Sequence, residues 1–331
     1  MPDRPWRRRL RTIPRTFAFT AFLWLLWPAL LLIAGVLDSV RFLASRVPFA
    51  TTRLLLFGMF YGMAEIVGML ALAFVWLVAG RDAERLITLT YRVQGAWVSA
   101  LFGAASVIFD LRFTVHGDEH TTPGPILLFM HHASIVDTLL PTVFVSNRHA
   151  MRLRFVLKRE LLALPCLDIA GNRLPNYFVR RQSDDNATEL AEVRRLAQGL
   201  GEREGVLIYP EGTRFTAKKL ARSLEKLAKA DPERHERVST QTHTLPVRRG
   251  GPLAILAGAP NADIVIAAHR GLAGFAELGD IWRGGMVGRR PEIQFWRIPR
   301  GEVPEGEDEQ LKFLDAAWAR VDAFASRAEK T

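Results

Sequence analysis

The side chains best placed by type and spacing to move a proton stand in "MHHASIVDTLLP", residues 130–141, where His132 precedes Asp137 by five positions. A carboxylate that fixes one imidazole nitrogen leaves the other open as a general base. On a continuous helix, positions five apart point ~140° away from each other, so the two side chains meet only if His132 lies before the first turn. Ser134 supplies that break as a helix N-cap, and Asp137 completes a Ser-x-x-Asp capping box with it. Asp137 thus has a purely structural alternative, which is to close the start of a helix. None of the other seven histidines has an aspartate at this spacing.

A second constellation lies in "VLIYPEGTRFT", residues 206–216, where an apolar strand runs into Pro210, Glu211, Gly212, Thr213 and Arg214. Gly212 lets the backbone turn tightly, and Arg214 offers a forked donor suited to phosphate. A lone His-x4-Asp arises by composition in roughly one chain in three of this kind, so its arrival ~80 residues before this turn is what gives the pair meaning. "HGDEH" spaces His116 and His120 as two metal ligands on one helical face would be spaced. The Gly-Asp turn between them argues instead for a strand-end loop, and no metal site is expected. Cys166 in "LPCLD" has no neighbouring histidine and reads as a packed core residue; as the only cysteine it excludes an internal disulfide.

These side chains need a scaffold, and the pattern around them supplies one. "PILLFM", residues 125–130, is a short, wholly apolar run of the kind a buried strand shows, so His132 falls just past a strand end. Further strands are expected at 154–157, 176–179, 205–209, 243–247, 264–268 and 292–297, with helices over 187–201 and 308–328. Strands alternating with helices predict an α/β layered domain over residues 111–331.

The first 110 residues are of another kind. An arginine-rich start is followed by residues 16–36 without a charge, and residues 54–80 carry only Glu65. Each run has about the length needed to cross a ~30 Å hydrocarbon core, and together they predict a helical membrane hairpin within residues 1–82. Gly58 and Gly62 would let its helices approach closely. The six arginines before the first run argue for a cytoplasmic N-terminus, and two crossings return the rest to that side. Residues 83–110 mix spaced charges with apolar positions and predict an amphipathic helical segment at the membrane surface.

Lys+Arg exceed Asp+Glu by 44 to 34, a formal charge of +10 that favours nucleic acid, anionic lipid or phosphorylated ligands. A basic membrane-tethered binding protein without catalysis is one reading of it. The basic clusters lack the interleaved aromatics of a strand-stacking platform, so no nucleic acid is expected as partner.

From about Leu111 to Val247 the chain resembles the membrane glycerolipid acyltransferases, in particular the 1-acylglycerol-3-phosphate O-acyltransferases and related lysophospholipid acyltransferases. Four blocks carry the resemblance in order: "HHASIVDT"; "LKRELLALP" with "YFVRR"; "YPEGTR"; and "TLPV". The chain departs from the family at His131, where asparagine is usual, and at Asp168, where glycine is frequent. The resemblance implies an α/β fold, a mixed sheet flanked by helices of the glycerol-3-phosphate acyltransferase kind, behind the N-terminal membrane hairpin. It makes His132 the base and Asp137 its partner, with Glu211, Gly212, Thr213, Arg214, Lys158 and Arg181 seating the acceptor's phosphate. The implied substrates are a lysophospholipid acceptor and an acyl thioester donor, acyl-coenzyme A or acyl carrier protein, at the inner or cytoplasmic membrane with no cofactor. A lysocardiolipin acceptor and transacylation from a phospholipid are alternatives within the class.

Overall fold

The computed structural model describes residues 5–179, 186–273, 275 and 277–327. The chain packs as two units, and two segments of the expected 111–331 domain, Leu157–Arg181 and Leu278–Gly288, group with Met1–Leu111 in the first. That unit holds α1 (Pro5–Leu25), α2 (Trp27–Ser45), α3 (Ala50–Ala79), α4 (Ala83–Phe109), α5 (Pro165–Arg173), α10 (Leu278–Trp282) and the short strand β4 (Tyr177–Val179).

The apolar run at 16–36 is not one helix. It breaks at Leu26 between α1 and α2, because Pro28 in the first turn of α2 has no N–H to donate and its ring crowds the carbonyl four residues back. α1 also reaches back through the arginine cluster, where Arg8 and Arg9 both bind Asp168 at 2.6 and 3.1 Å. The aspartate that departs from the family pattern is therefore the buried partner of two arginines expected to serve only as a topology signal.

α2, α3 and α4 are each long and apolar enough to cross a membrane, one more than the sequence pattern predicts. The charges of α4 fall at Glu84, Arg85 and Arg92, so its second half is as apolar as a span. These three helices associate the chain with a membrane. Of the expected glycine pair only Gly62 serves close approach: a Cβ there would meet Thr20 Oγ1 at 2.5 Å, whereas Gly58 faces open space. Glu65 is buried in α3 and accepts hydrogen bonds from Tyr61 Oη and from the backbone N–H of Cys166, each at 3.0 Å. Its carboxylate thus bonds within α3 and also caps the start of α5.

The second unit, Arg112–Val156, Gln182–Glu277 and Arg289–Thr331, is built on a mixed sheet. Its strands are β1 (Thr114–His116), β2 (Ile126–Met130), β3 (Arg152–Lys158), β5 (Glu204–Ile208), β6 (Asp263–Arg270) and β7 (Glu292–Ile298), ordered β1-β7-β6-β2-β5-β3. β2 pairs in parallel with β5 on one side and β6 on the other, while β7 runs antiparallel to β6. A central strand covered on both faces reads as an unbroken apolar run, and every residue of β2 is buried. The flanking helices are α6 (Asn186–Leu196), α7 (Ala217–Ala230), α8 (Pro232–Val238), α9 (Gly250–Gly258) and α11 (Glu307–Ala325). α11 buries Leu311, Leu314, Trp318, Val321 and Phe324.

One expected strand is absent. Residues 243–247 are irregular, because carboxylates replace the sheet partners of their N–H groups: Asp322 accepts from the backbone of Thr242, His243 and Thr244, and Glu211 accepts from Leu245.

Candidate active site

Phe129 stands beside Ile208 and Met130 beside Ala267, so the C-terminal ends of β2, β5 and β6 share one edge of the sheet. Crevices at that edge are where α/β proteins place ligands. His131 continues the ladder by donating its N–H to Ala267 O, and His132 follows it off the strand.

The turn that comes next uses every acceptor of Asp137. His132 Nδ1 donates to Oδ1 at 2.9 Å, and the N–H groups of Ala133 and Ser134 donate to Oδ2 at 2.8 and 2.7 Å. Ser134 Oγ in turn accepts from the N–H of Val136 at 2.9 Å, ahead of a 3₁₀ turn over Val136–Thr138. The capping and the histidine-orienting readings of Asp137 are therefore both realised, one on each oxygen. Burial alone would raise this carboxyl's pKa; the charge and hydrogen bond of His132 and the contact of His269 outweigh it and hold the group well below the usual carboxylate range. With Nδ1 committed, His132 keeps Nε2 as its open nitrogen, and Nε2 makes no hydrogen bond among the described residues. The ring stacks on Tyr209 with centroids 4.3 Å apart, and Tyr209 Oη reaches the carbonyl of Asp137 at 3.3 Å.

Glu211 turns inward. Its side chain is wholly buried: Oε1 accepts from His131 Nδ1 at 2.6 Å and from His132 N at 3.2 Å, and Oε2 accepts from Leu245 N at 3.0 Å. It ties three loops together, so its carboxylate holds in place the loop that carries Arg214. His131, at the position where the family favours asparagine, is the other half of this pair. Burial lowers its basicity, but the Glu211 carboxylate more than offsets this and pushes its pKa up.

Gly212 has φ +67°, and a Cβ on it would meet Arg248 Nε at 2.6 Å, so the position needs glycine both for its backbone and for the side chain laid across it. Arg214 is half-buried on the same loop; Lys219 Nζ donates to its carbonyl at 2.8 Å and to Thr213 Oγ1 at 3.3 Å, which fixes the loop from α7. The N–H of Phe215 donates to His132 O at 2.7 Å, bringing this loop against the histidine turn. Lys158 ends β3 in a segment grouped with the first unit, and Arg181 lies outside the described residues. His116 and His120 are both exposed on either side of Gly117, which takes a left-handed turn.

Tyr209, His269 and the acceptor Asp322 were not singled out from sequence, and His131 stood out only as a departure from the family pattern. His131 adjoins the motif and was the nearest to being found. The others are brought in by sheet register and by α11, and nothing in their local sequence marks them.

A buried aspartate orienting a histidine whose far nitrogen is open, at the carboxyl edge of a parallel core, is the equipment of an enzyme that takes a proton from a bound substrate. Residues 112–249, which hold both the dyad and the Arg214 loop, match the family model described as Acyltransferase. Lysocardiolipin acyltransferase 1 from Gallus gallus is 24% identical over 136 residues, 41% of this chain and 36% of that protein. Its counterpart from Danio rerio is 23% identical over 169 residues, 49% of this chain and 44% of that protein. The matched stretches thus span less than half the length of these relatives. In fold the chain is similar to the 1-acyl-sn-glycerophosphate acyltransferase PlsC from Thermotoga maritima, with a TM-score of 0.51, 16% identity, and coverage of 82% of this chain and all of that one. Residues 112–249 thus carry an acyltransferase domain, and over that stretch the chain is similar to glycerolipid acyltransferases.

Proposed function

We propose that the chain transfers a fatty acyl group from an acyl thioester to the free hydroxyl of a lysophospholipid, with 1-acylglycerol-3-phosphate as the acceptor and phosphatidate as the product. The observation that carries this reading is the His132–Asp137 bond at 2.9 Å, which leaves Nε2 open beside the Arg214 loop. Nε2 accepts the proton of the acceptor hydroxyl as its oxygen attacks the thioester carbonyl. The tetrahedral intermediate then collapses, and the departing thiolate takes the proton back from the imidazolium. Asp137 stays ionised throughout and stabilises the cation that forms on His132. Arg214 seats the acceptor's phosphate through charge-assisted hydrogen bonds. The chemistry calls for no metal or cofactor. The donor is acyl-coenzyme A or acyl carrier protein, which puts the domain on the cytoplasmic side of the membrane.

The names of the two relatives favour a second acceptor, lysocardiolipin, whose phosphodiesters would meet the same Arg214.

Thiol release from acyl-coenzyme A or acyl carrier protein, in liposomes holding lysophosphatidate or lysocardiolipin, tests the proposal. The parent is expected to release thiol only with acceptor present. His132→Ala is expected to lose ~10²- to 10⁴-fold, the usual contribution of a positioned base. Full turnover by that variant would remove His132 from its role.

A further inference from the structure

His269 stands near the end of β6, one strand away from the dyad, and is 1% exposed. Its Nε2 lies 3.4 Å from Asp137 Oδ2 and 3.1 Å from the carbonyl oxygen of His131. Both neighbours only accept hydrogen bonds. Its Nδ1 is buried without a partner. A proton on Nδ1 would be stranded there, and the bare Nε2 lone pair would then face a carboxylate and a carbonyl. The tautomer is therefore fixed with the proton on Nε2, where it is shared between the two acceptors. Its ring also lies against that of His131 with centroids 4.7 Å apart, so it cannot swing away.

We infer that His269 is a positioning residue for the acyl transfer: a neutral Nε2–H donor that holds the second oxygen of Asp137 and sets how strongly that carboxylate draws on His132. The inference rests on the reading of His132 and Asp137 proposed above. Asp137 Oδ2 would otherwise answer only to the N–H groups of Ala133 and Ser134, which belong to the same turn and move with it. The His269 bond ties the carboxylate to the sheet instead. It also takes up part of the carboxylate's charge, so Asp137 stabilises the imidazolium of His132 less than an unshared carboxylate would.

The charged and titratable groups around this centre are few. Among the described residues they are His132 and Asp137 themselves, His131 with its partner Glu211, Tyr209 stacked on His132, Asp322 of α11 acting on His131, and the Arg270–Glu292 pair next to His269 on β6 and β7. Burial lowers the basicity of His269 further than its contact with Asp137 restores it, in keeping with a neutral ring.

Glutamine and asparagine at 269 separate positioning from mere packing, since both are polar and smaller than histidine. Glutamine brings its amide nitrogen to the Nε2 position and asparagine to the Nδ1 position. In the full-length protein in liposomes, with acyl-coenzyme A and lysophosphatidate, His269→Gln is expected to keep kcat within about threefold of the parent and to leave its pH profile in place. His269→Asn and His269→Leu are expected to lower kcat on the order of tenfold or more and to move the acidic limb of kcat/KM upward by about half a pH unit. Equal losses in the glutamine and asparagine variants, with superimposable pH profiles, would reduce His269 to a packing residue and overturn the inference. An activity-independent arm follows carbethoxylation of His132 by diethyl pyrocarbonate against pH, with the modified residue identified by mass spectrometry. The same upward displacement is expected in the asparagine variant and not in the glutamine variant, and its absence also overturns the inference. A parent that modifies normally but transfers no acyl group counts against the proposed function alone.

Discussion

With Oδ1 turned to His132 and Oδ2 to Ala133, Ser134 and His269, Asp137 has no oxygen to exchange for an amide. In Asp137→Asn the NH₂ must face donors on one side or the other. Turned toward His132 it forces the wrong tautomer and puts a proton on Nε2; turned toward the backbone it strands two buried N–H groups. Acyl transfer is therefore expected to fall ~10²- to 10⁴-fold, while stability falls by only about 1–3 kcal/mol. Turnover and thermal melts of the same preparation check both. Turnover close to the parent's would leave Asp137 as a cap and nothing more. At this scale the sequence was informative because the partners are close in it: five residues and an N-capping serine suffice to bring His132 and Asp137 together. His131–Glu211 and His269–Asp137 are separated by 80 and 132 positions, and no short-range pattern encodes them. For the same reason the position of Glu211 in "YPEGTR" gives no sign that its carboxylate turns inward to His131.

Among the elements, α11 does more than cover the sheet. Asp322 accepts the backbone N–H groups of Thr242, His243 and Thr244 and the hydroxyl of Thr244, while Asp315 grips Arg234 through Nε and Nη2 at 2.9 and 2.8 Å, and Arg234 reaches Val247 O. The segment so held hands Leu245 N to Glu211, and through Glu211 it braces the backbone of His132. The apolar "TLPV" suggested a strand because a short apolar run looks the same whether its N–H groups meet a neighbouring strand or a carboxylate. β2, β5, β6 and β7 were legible because each carries a longer run suited to burial on a sheet, and α11 because its apolar positions recur at helical spacing. Asp322→Ala leaves the N–H of Thr244 buried and unpaired. It is expected to cost roughly 2 kcal/mol or more, or about 4–8 °C in melting temperature for a domain of this size. Acyl transfer is expected to fall as well, because the brace on His132 slackens. A melting temperature within a degree of the parent's would show that the segment holds itself.

At the scale of the whole molecule the composition was least specific: a charge of +10 and two long apolar runs fit many membrane proteins. The third apolar helix was masked by charges gathered at its start, and the proline break in the first run lay inside an otherwise uniform stretch. What the whole fold adds is a set of buried ionisable groups that bound its stability on both sides in pH. His131 has a raised pKa beside Glu211, so its contribution is complete below the ordinary histidine value of about 6.5 and is lost as pH rises through the raised one. His269 is lowered by burial, so the unfolded chain takes up a proton there first and stability declines as pH falls below about 6.5. Asp137 is lowered too, so its contribution is complete above about 3.9 and is lost only as pH falls further. Melting temperature is therefore expected to peak near neutrality and to decline on the alkaline side through His131. His131→Asn keeps a side-chain N–H for Glu211 but has no proton to lose. Melts of the two proteins from pH 6 to pH 9 should diverge, with the parent falling away as pH rises and the variant holding level. Parallel alkaline limbs would mean that Glu211 does not hold a proton on His131 in the folded state.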